Sequence, residues 1–325
     1  MASTSGDSAS DTPEIVDSYS YLGPAGTFTY AALQQVEAAV GKEWKPVRNV
    51  NEALADVAEN RSISAMIAIE NSVDGGVAVA QDALANIPNL RIIGEYLVPV
   101  QFILVTRPGT RLEDVRVVAA HPVAYAQCRQ WLSHNLPEHE NIPATSNIAA
   151  ARLVVDGQFA DAAITSPGAL DHYPLNLIAE DIGDNSAAVT RFVLVSKPGR
   201  LPEPTGADKT SLIVELAAER SGALLELLEQ FSTRGVNLSL IQSRPIGDAI
   251  GRYRFVIDAD GHITDERLAD AVLGIKRVSP KVIFLGSYPR ADKQQISVDN
   301  RYDNGVFVEA RDWLRGIISA EPQQD

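Results

Sequence analysis

The chain has 325 residues, more than one hydrophobic core usually spans, so we expect two or three compact units. Apolar residues make up 45% and charged residues 22%, as in an ordinary globular protein, and the formal net charge is −14. This acidic balance argues against a nucleic-acid or acidic-membrane partner, because phosphate groups need a basic face.

The first 17 residues are small, polar and acidic, without a basic region followed by an apolar stretch. This pattern predicts a disordered tail over residues 1–17 and no signal peptide. No apolar run is long enough to span a membrane, and the single cysteine, Cys128, cannot form an internal disulfide. We therefore expect a cytoplasmic protein without a membrane partner.

Short apolar strand patterns alternate with helical patterns across residues 18–199. This alternation predicts an open α/β sheet covered on both faces, with its ligand crevice beyond the carboxyl ends of the strands. Residues 94–109 and 190–196 are extended and lack a helical period, so we expect them to cross between two lobes. The predicted lobes are about 18–97 with 188–199, and 98–187.

The stretch "YLGPAGTFTYAALQ" (21–34) is typical of a strand end, a Gly-Pro turn and a helix start. Thr27 and Thr29 lie at that start, where unsatisfied N–H groups attract negative charge. The glycine spacing fits neither common nucleotide-binding fingerprint. Two interpretations stay open here: a turn with a simple helix cap, or a site for a carboxylate or hydroxyl group.

A second polar group, Glu70-Asn71-Ser72, directly follows a buried apolar strand. A helix cap with one solvated Glu explains this group about as well as a substrate site does. His121 precedes a proline, and a hydrogen-bonded structural His explains it better than a catalytic base. Gln127 lies about one turn further along the same helix. The remaining His residues and Cys128 lack metal-ligand spacing, so we expect no metal site.

The triplet Thr190-Arg191-Phe192 begins a strand rich in Val and Leu. Alternation along a strand sends Thr190 and Phe192 to one face and Arg191 to the other. A strand-edge Thr with no chemical role would give the same pattern.

The composition changes after residue 199. Residues 200–209 are rich in Pro and Gly and predict a linker. Residues 210–288 follow the order βαββαβ, which indicates a separate ferredoxin-like unit. The rest, 289–325, is a polar tail with an amphipathic helical stretch, "VFVEARDWLRGI", that could dock on the body or on a neighbour.

Together these motifs resemble the prephenate dehydratase family in its stand-alone form, in the family's own order over about residues 19–288. The resemblance rests on Gly23 to Thr29, Ile69 to Ser72, His121-Pro122, Gln127-Cys128 and Thr190 to Phe192, and on Gly222 to Leu225 and Ser243 to Pro245, which are similar to an ACT regulatory domain. It implies an α/β fold: a two-lobed catalytic domain (18–199) of the periplasmic-binding-protein-like type II class, followed by an ACT domain.

The resemblance also implies the reaction. Prephenate loses CO₂ and its ring hydroxyl to give phenylpyruvate on the way to phenylalanine, and aromatisation drives this step without a cofactor. The implied catalytic residues are Thr190 as positioned donor to the departing oxygen, Glu70 as a possible proton source, Asn71 and Gln127. The implied substrate-binding residues are Thr27, Thr29, Ser72, His121, Ser166, Arg191 and Phe192.

The ACT-like module implies phenylalanine as a feedback effector, bound between paired domains of a homodimer or homotetramer. The implied effector-binding residues are Gly222, Ala223, Leu224, Leu225, Asn237, Gln242, Ser243, Arg244 and Pro245. Gln242 stands where the family commonly has Glu, which leaves open a purely structural dimerisation domain. Ala68 and Gln101 also depart from the family's usual Pro and His. A binding protein that closes on an anion without chemistry is the competing hypothesis, since one fold serves both functions.

Overall fold

The computed structural model describes residues 17–319 except 74, 158, 217–219 and 248–251, so all but the last residue of the tail predicted over 1–17 lies outside the described residues. The strands are β1 (Ser18–Leu22), β2 (Glu43–Val47), β3 (Ser64–Asn71), β4 (Gly75–Gly76), β5 (Arg91–Pro99), β6 (Ile103–Thr106), β7 (Val117–Ala120), β8 (Glu140–Pro143), β9 (Ala162–Thr165), β10 (Asn176–Ala179), β11 (Val189–Ser196), β12 (Asp208–Glu215), β13 (Leu238–Pro245), β14 (Tyr253–Asp260) and β15 (Lys281–Pro289). The helices are α1 (Phe28–Gln34), α2 (Val50–Ala58), α3 (Ala78–Asn86), α4 (Pro122–Ala126), α5 (Arg129–Asn135), α6 (Asn147–Val155), α7 (Ala223–Ser232), α8 (Glu266–Val278) and α9 (Asn304–Ser319).

The first lobe is built on a sheet of order β2-β1-β3-β11-β5, with the short β4 paired to β3. Strands β1, β2 and β3 are parallel, and β11 runs antiparallel to both of its neighbours. Helix α1 packs on one face through Ala32 and Leu33, and α2 and α3 pack on the other through residues such as Leu54 and Leu84. The sheet is therefore covered on both faces, as its continuous apolar strands predict.

A buried carboxylate ties α2 to the first lobe. Asp56 accepts hydrogen bonds from Ser20 (2.8 Å) and Arg61 (2.6 Å) and pairs with Lys45 at 2.9 Å. Burial acts to raise the pKa of the Asp56 carboxyl, but the hydrogen bonds from its basic partners outweigh burial and lower that pKa below its usual range.

The second lobe has the strand order β10-β6-β9-β7-β8, in which β7 is parallel to both β8 and β9. Helices α4 and α5 cover one face, through Ala124 and Leu132, and α6 covers the other, through Ala150 and Val154. In each lobe, two loops after parallel strands lead into helices with polar caps: Thr27 and Asn49 in the first lobe, and His121 and Ser146 in the second.

The C-terminal domain has the antiparallel order β13-β14-β12-β15, with α7 and α8 packed on one face. Its other face packs against the first lobe, where Ile213 and Tyr288 join the same apolar cluster as Ile92. Backbones approach closely here: a Cβ on Gly286 (φ +151°) would lie 2.2 Å from the carbonyl oxygen of Ile92. Glycine is therefore required at this junction.

Helix α9 extends the C-terminal domain beside α8. Arg311 pairs with Glu266, and the Glu266 amide donates to Asn304 Oδ1 at 2.9 Å. The predicted fold class, a two-lobed α/β domain followed by a βαββαβ unit, is confirmed. Within the described ranges, no helix has both the length and the apolar character that a membrane crossing requires.

Candidate active site

A cleft of about 830 Å³ lies where the carboxyl ends of parallel strands in the two lobes face each other. The first lobe contributes residues that follow β1 and β2, together with the beginning of β11. The second lobe contributes residues that follow β7 and β8, and one side of α6. Its polar lining consists of Thr27, Thr29, Arg48, His121, Thr145, Ser146, Asn147, Arg152, Asp156 and Thr190. This is where open α/β sheets place their ligands.

Thr190 is the hydroxyl best placed for chemistry in this cleft. It lies opposite Asn71 in the β11–β3 ladder and is only 8% exposed. Asn71 Nδ2 donates to Thr190 Oγ1 at 3.0 Å, and Asn71 Oδ1 accepts from the Val73 amide at 2.8 Å. The Val73 contact fixes which end of the amide faces Thr190. Because Thr190 Oγ1 accepts from Asn71, its own proton is free to point elsewhere, into the cleft.

The turn after β1 supplies two more hydroxyl groups. Thr27 caps α1: its Oγ1 accepts from the Tyr30 amide at 3.2 Å and donates to the Leu22 carbonyl at 3.2 Å. Thr29, in the first turn of α1, is buried and also lines the cleft. The two interpretations of this turn are compatible, because Thr27 is a helix cap that also lies at the cleft.

The wall of the second lobe is polar at two helix starts. His121 caps α4, with Nδ1 accepting from the Val123 amide at 3.3 Å, and Ser146 caps α6, accepting from Ala149 at 3.0 Å. Next to this cap, Asn147 Oδ1 is buried, and no described residue donates a hydrogen bond to it. A buried amide oxygen without a partner is costly, so a donor on a bound molecule would be favoured here.

The cleft is also lined by two arginines that were not predicted from the sequence. Arg48 follows β2 and precedes the cap of α2, and Arg152 lies on α6 in the other lobe. Both side chains are exposed, and among the described residues neither has an ion-pair partner. Arg48 could have been found by the rule that ligands bind at strand ends, whereas an Arg on a helix surface gives no such signal. With these two arginines against the carboxylate of Asp156, the described lining of the cleft has a net positive charge within an acidic chain.

Among the described residues, no group of three or more His, Cys, Asp or Glu side chains is arranged to hold a metal ion. The cleft offers hydroxyl, amide, imidazole and guanidinium groups, with the carboxylate of Asp156 as the one acidic group among its described lining residues, and this set suits an anionic organic ligand.

The family model described as prephenate dehydratase matches residues 19–200. The chain belongs to the prephenate dehydratase family. It is 42% identical over 302 residues to the prephenate dehydratase of Amycolatopsis methanolica, covering 93% of this chain and 98% of that protein.

Solved structures agree with this family assignment. A prephenate dehydratase from Arthrobacter aurescens in complex with L-Phe has a TM-score of 0.89 and 49% identity, covering 93% of this chain and all of the other. A second neighbour, GqqA, described as a novel type of quorum quenching acylase, has a TM-score of 0.75 and 28% identity, covering 84% and 97%.

Two residues of the family motifs point away from the cleft, and their predicted roles are corrected. Arg191 and Glu70 lie opposite each other in the β11–β3 ladder, on the face away from Thr190 and Asn71. Arg191 Nη1 donates to Glu70 Oε2 at 2.8 Å, outside the cleft lining. Arg191 therefore does not line the cleft, which disagrees with its predicted contact with a substrate carboxylate and agrees with the strand alternation that sends it to the face opposite Thr190. Glu70, held by a guanidinium and away from the cleft, is no longer assigned as the proton source.

Four further predicted residues do not line the cleft: Asn71, which contacts Thr190 from outside the lining, and Ser72, Ser166 and Gln127. Ser72 Oγ accepts from the Val189 amide at 2.9 Å and so fixes the end of β3 to the start of β11. Ser166 Oγ donates to the Gly26 carbonyl at 2.6 Å and thereby joins the two lobes. Gln127 ends α4 outside the lining, and its carbonyl accepts from the Asp184 amide. Phe192, in contrast, lines the cleft on the same face of β11 as Thr190.

The predicted effector residues separate onto two faces of the C-terminal domain. Gln242 Oε1 accepts from Gln81 at 2.7 Å, and Arg244 Nη2 lies 2.6 Å from Asp82 Oδ2, so both side chains contact α3 of the first lobe. Ser243, on the opposite face of β13, is exposed. We therefore revise the prediction that Gln242 and Arg244 bind the effector alongside Ser243.

The other predicted effector residues lie at the ends of α7 and β13. Gly222 is the N-cap residue before α7 and has φ +84°, a left-handed conformation that favours glycine. Leu224 and Leu225 follow in the first turn with exposed side chains, and Ala223 opens the helix. Asn237 Nδ2 donates to Asp260 Oδ2 at 2.7 Å, and Pro245 ends β13.

Proposed function

We propose that this chain converts prephenate to phenylpyruvate, as a carbon–oxygen lyase, and that the Thr190 hydroxyl eases the departure of the ring oxygen. The observation that carries this proposal is the chain of hydrogen bonds from the Val73 amide through Asn71 to Thr190. This chain leaves the Thr190 proton as the donor directed at the cleft.

The reaction needs little from the protein besides this donor. The electron pair of the breaking bond between the ring and its carboxylate moves into the ring, and the carbon–oxygen pair leaves with the hydroxyl. Charge therefore develops on the departing oxygen. A donor directed at that oxygen binds the transition state more tightly than the substrate, which lowers the barrier. A threonine hydroxyl is too weak an acid to give up its proton, so it only donates a hydrogen bond to the leaving hydroxide, which takes up a proton from an acid in the solvent after the bond has broken.

Prephenate carries two carboxylates, and the cleft offers cations from both lobes. We assign Arg48 and Arg152 to these carboxylates, with the hydroxyls of Thr27 and Thr29 beside them. Asn147 Oδ1 is a free acceptor for a hydroxyl group of the ligand. Guanidinium groups form strong charge-assisted hydrogen bonds with carboxylates. Such binding orients the ring before its oxygen departs.

We also propose L-phenylalanine as a feedback effector at the C-terminal domain. The support is the L-Phe bound in the related Arthrobacter aurescens structure and the exposed apolar residues Leu224, Leu225, Ile241 and Tyr253. Pairing of two C-terminal domains, in a homodimer or homotetramer, would cover such a surface. We place the protein in the cytoplasm, consistent with its single, buried cysteine.

The test is incubation of the purified chain with prephenate, without added metal or nucleotide, followed by measurement of phenylpyruvate. Formation of phenylpyruvate is the expected result. Saturable prephenate binding without product would favour the binding-protein hypothesis. Because one neighbour is described as an acylase, the assay should measure phenylpyruvate itself and not only the loss of substrate.

A further inference from the structure

A buried ion cluster joins the catalytic strand β11 to the C-terminal domain. Arg191 leaves β11 on the face opposite Thr190. Its Nε lies 2.7 Å from Glu95 Oε2, its Nη1 lies 2.8 Å from Glu70 Oε2, and its Nη2 lies 2.6 Å from Asp258 Oδ2. Glu70 and Glu95 belong to the first lobe, whereas Asp258 belongs to β14. One side chain thus connects both domains.

The surroundings of this guanidinium are fixed and largely dry. Arg191 is 6% exposed and Asp258 2%. Tyr288 Oη, on β15, accepts from Arg191 Nη2 at 3.2 Å, and Lys209 Nζ pairs with Glu95 Oε2 at 2.8 Å. Burial alone would lower the pKa of the Arg191 guanidinium, but the neighbouring carboxylates, Asp258 foremost, raise it well above its ordinary value. The guanidinium stays charged. Because the protein interior screens charges poorly, a small displacement of one partner changes the electrostatic energy of the whole cluster.

The cluster is adjacent in sequence to both members of the catalytic hydrogen bond. Arg191 follows Thr190, and Glu70 precedes Asn71, the residue that donates to the Thr190 hydroxyl. The ladder between these strands shifts register directly after Arg191. Any movement of Asp258 relative to the first lobe therefore acts on the backbone that carries the hydroxyl and its orienting amide.

The other end of the cluster lies in the part of the C-terminal domain expected to respond to an effector. Asp258 is opposite Leu240 in the β13–β14 ladder, and β13 ends in the Ser243–Pro245 motif. A second junction, between Asp82 of α3 and Arg244, joins β13 to the first lobe without touching β11. The two junctions allow an effect through Arg191 to be distinguished from general loosening of the domains.

We propose that Arg191 is a positioning residue through which the C-terminal domain controls the placement of the Thr190 hydroxyl, so that L-phenylalanine lowers turnover by way of the Arg191–Asp258 contact. This inference rests on the proposed function. An effector acts only if it favours one arrangement of the two domains over another, and the coupling is reciprocal. The ion cluster is the contact that differs between those arrangements.

The experiment compares full-length wild type with Asp258→Asn, which keeps the shape of the side chain and removes its charge. We expect L-phenylalanine to bind the variant within threefold of its wild-type Kd. The factor by which saturating L-phenylalanine lowers kcat/KM should fall at least fivefold. Because the coupling is reciprocal, prephenate should weaken L-phenylalanine binding in wild type, and much less in the variant.

Two further variants keep the test decisive. Asp82→Asn alters the second junction and should retain most of the inhibition. Tyr288→Phe removes one hydroxyl from the cluster, retains the ring in the core, and should lose part of the inhibition by L-phenylalanine. This variant replaces Asp258→Asn in the test if Asp258→Asn does not fold.

The outcomes separate the two proposals. Inhibition of Asp258→Asn as strong as in wild type, or an equal loss in Asp82→Asn, overturns the role of Arg191. Turnover without any effect of L-phenylalanine on wild type also overturns it but leaves the reaction intact. Absence of turnover in wild type instead refutes the proposed function.

Discussion

Replacement of Thr190 by valine tests the proposed chemistry most directly. Valine has nearly the shape of threonine and is also β-branched, so it suits the strand and fills the same space. The change removes the hydroxyl that faces the cleft and the oxygen that accepts from Asn71 Nδ2 at 3.0 Å. It therefore has separate consequences for activity and for stability.

The expected magnitudes differ between these consequences. Loss of one donor directed at a developing oxyanion costs about 2.7–4 kcal/mol, a fall in kcat of about 10²–10³-fold. The hydrogen bond from Asn71 Nδ2 to Thr190, a residue that is only 8% exposed, is also lost, which destabilises the fold by about 0.5–1.5 kcal/mol. For a domain of this size, each kcal/mol lowers Tm by about 2–4 °C.

The measurements are initial rates of phenylpyruvate formation and thermal unfolding, with Thr190→Ser as the matched control. Serine retains the hydroxyl and should keep kcat within about tenfold of wild type. A folded valine variant whose kcat stays within fivefold of wild type would refute the assigned role, whatever its Tm.

Three other predictions concern the cleft and the fold. Asn71→Asp should lower kcat about 10²-fold, because a carboxylate only accepts and would draw the Thr190 proton away from the cleft; an unchanged kcat contradicts this. Arg152→Gln should raise KM about 3–10-fold with little change in kcat, because it removes a cation that binds a substrate carboxylate. This increase in KM should be smaller at high salt, and a variant KM equal to that of wild type at low salt contradicts the prediction. Because the pKa of Asp56 is lowered in the folded protein, its ionised carboxylate stabilises the fold above the unfolded pKa of about 3.9, and this stabilisation is lost as the pH falls further. The free energy of unfolding, measured in urea, should therefore depend less on pH below about 4 in Asp56→Asn than in wild type.

The parts of the site that the sequence predicts follow from short-range rules. Strand period places Thr190 and Phe192 on one face and Arg191 on the other, and the structure has this arrangement. The strand-end rule locates the turn around Thr27, because parallel strands deliver their following loops to one edge. Both rules need only neighbouring residues.

The remaining features depend on contacts that are distant in sequence. The partners of Arg191 come from β3, β5 and β14, and only the docking of two domains brings them together. The same docking turns Gln242 and Arg244 toward α3. Arg152 was missed for a different reason, because an unpaired arginine on a helix has the pattern of an ordinary solvated surface.

The first lobe is interrupted in the chain, and this affects how the protein is made. Strand β11 separates β3 from β5 in the sheet but follows them by roughly the whole second lobe. A nascent chain that has emerged only through the second lobe has a sheet split in two and lacks its catalytic hydroxyl. Partial translation products should therefore be both incompletely folded and inactive, and completion of the lobe requires slow pairing between remote segments.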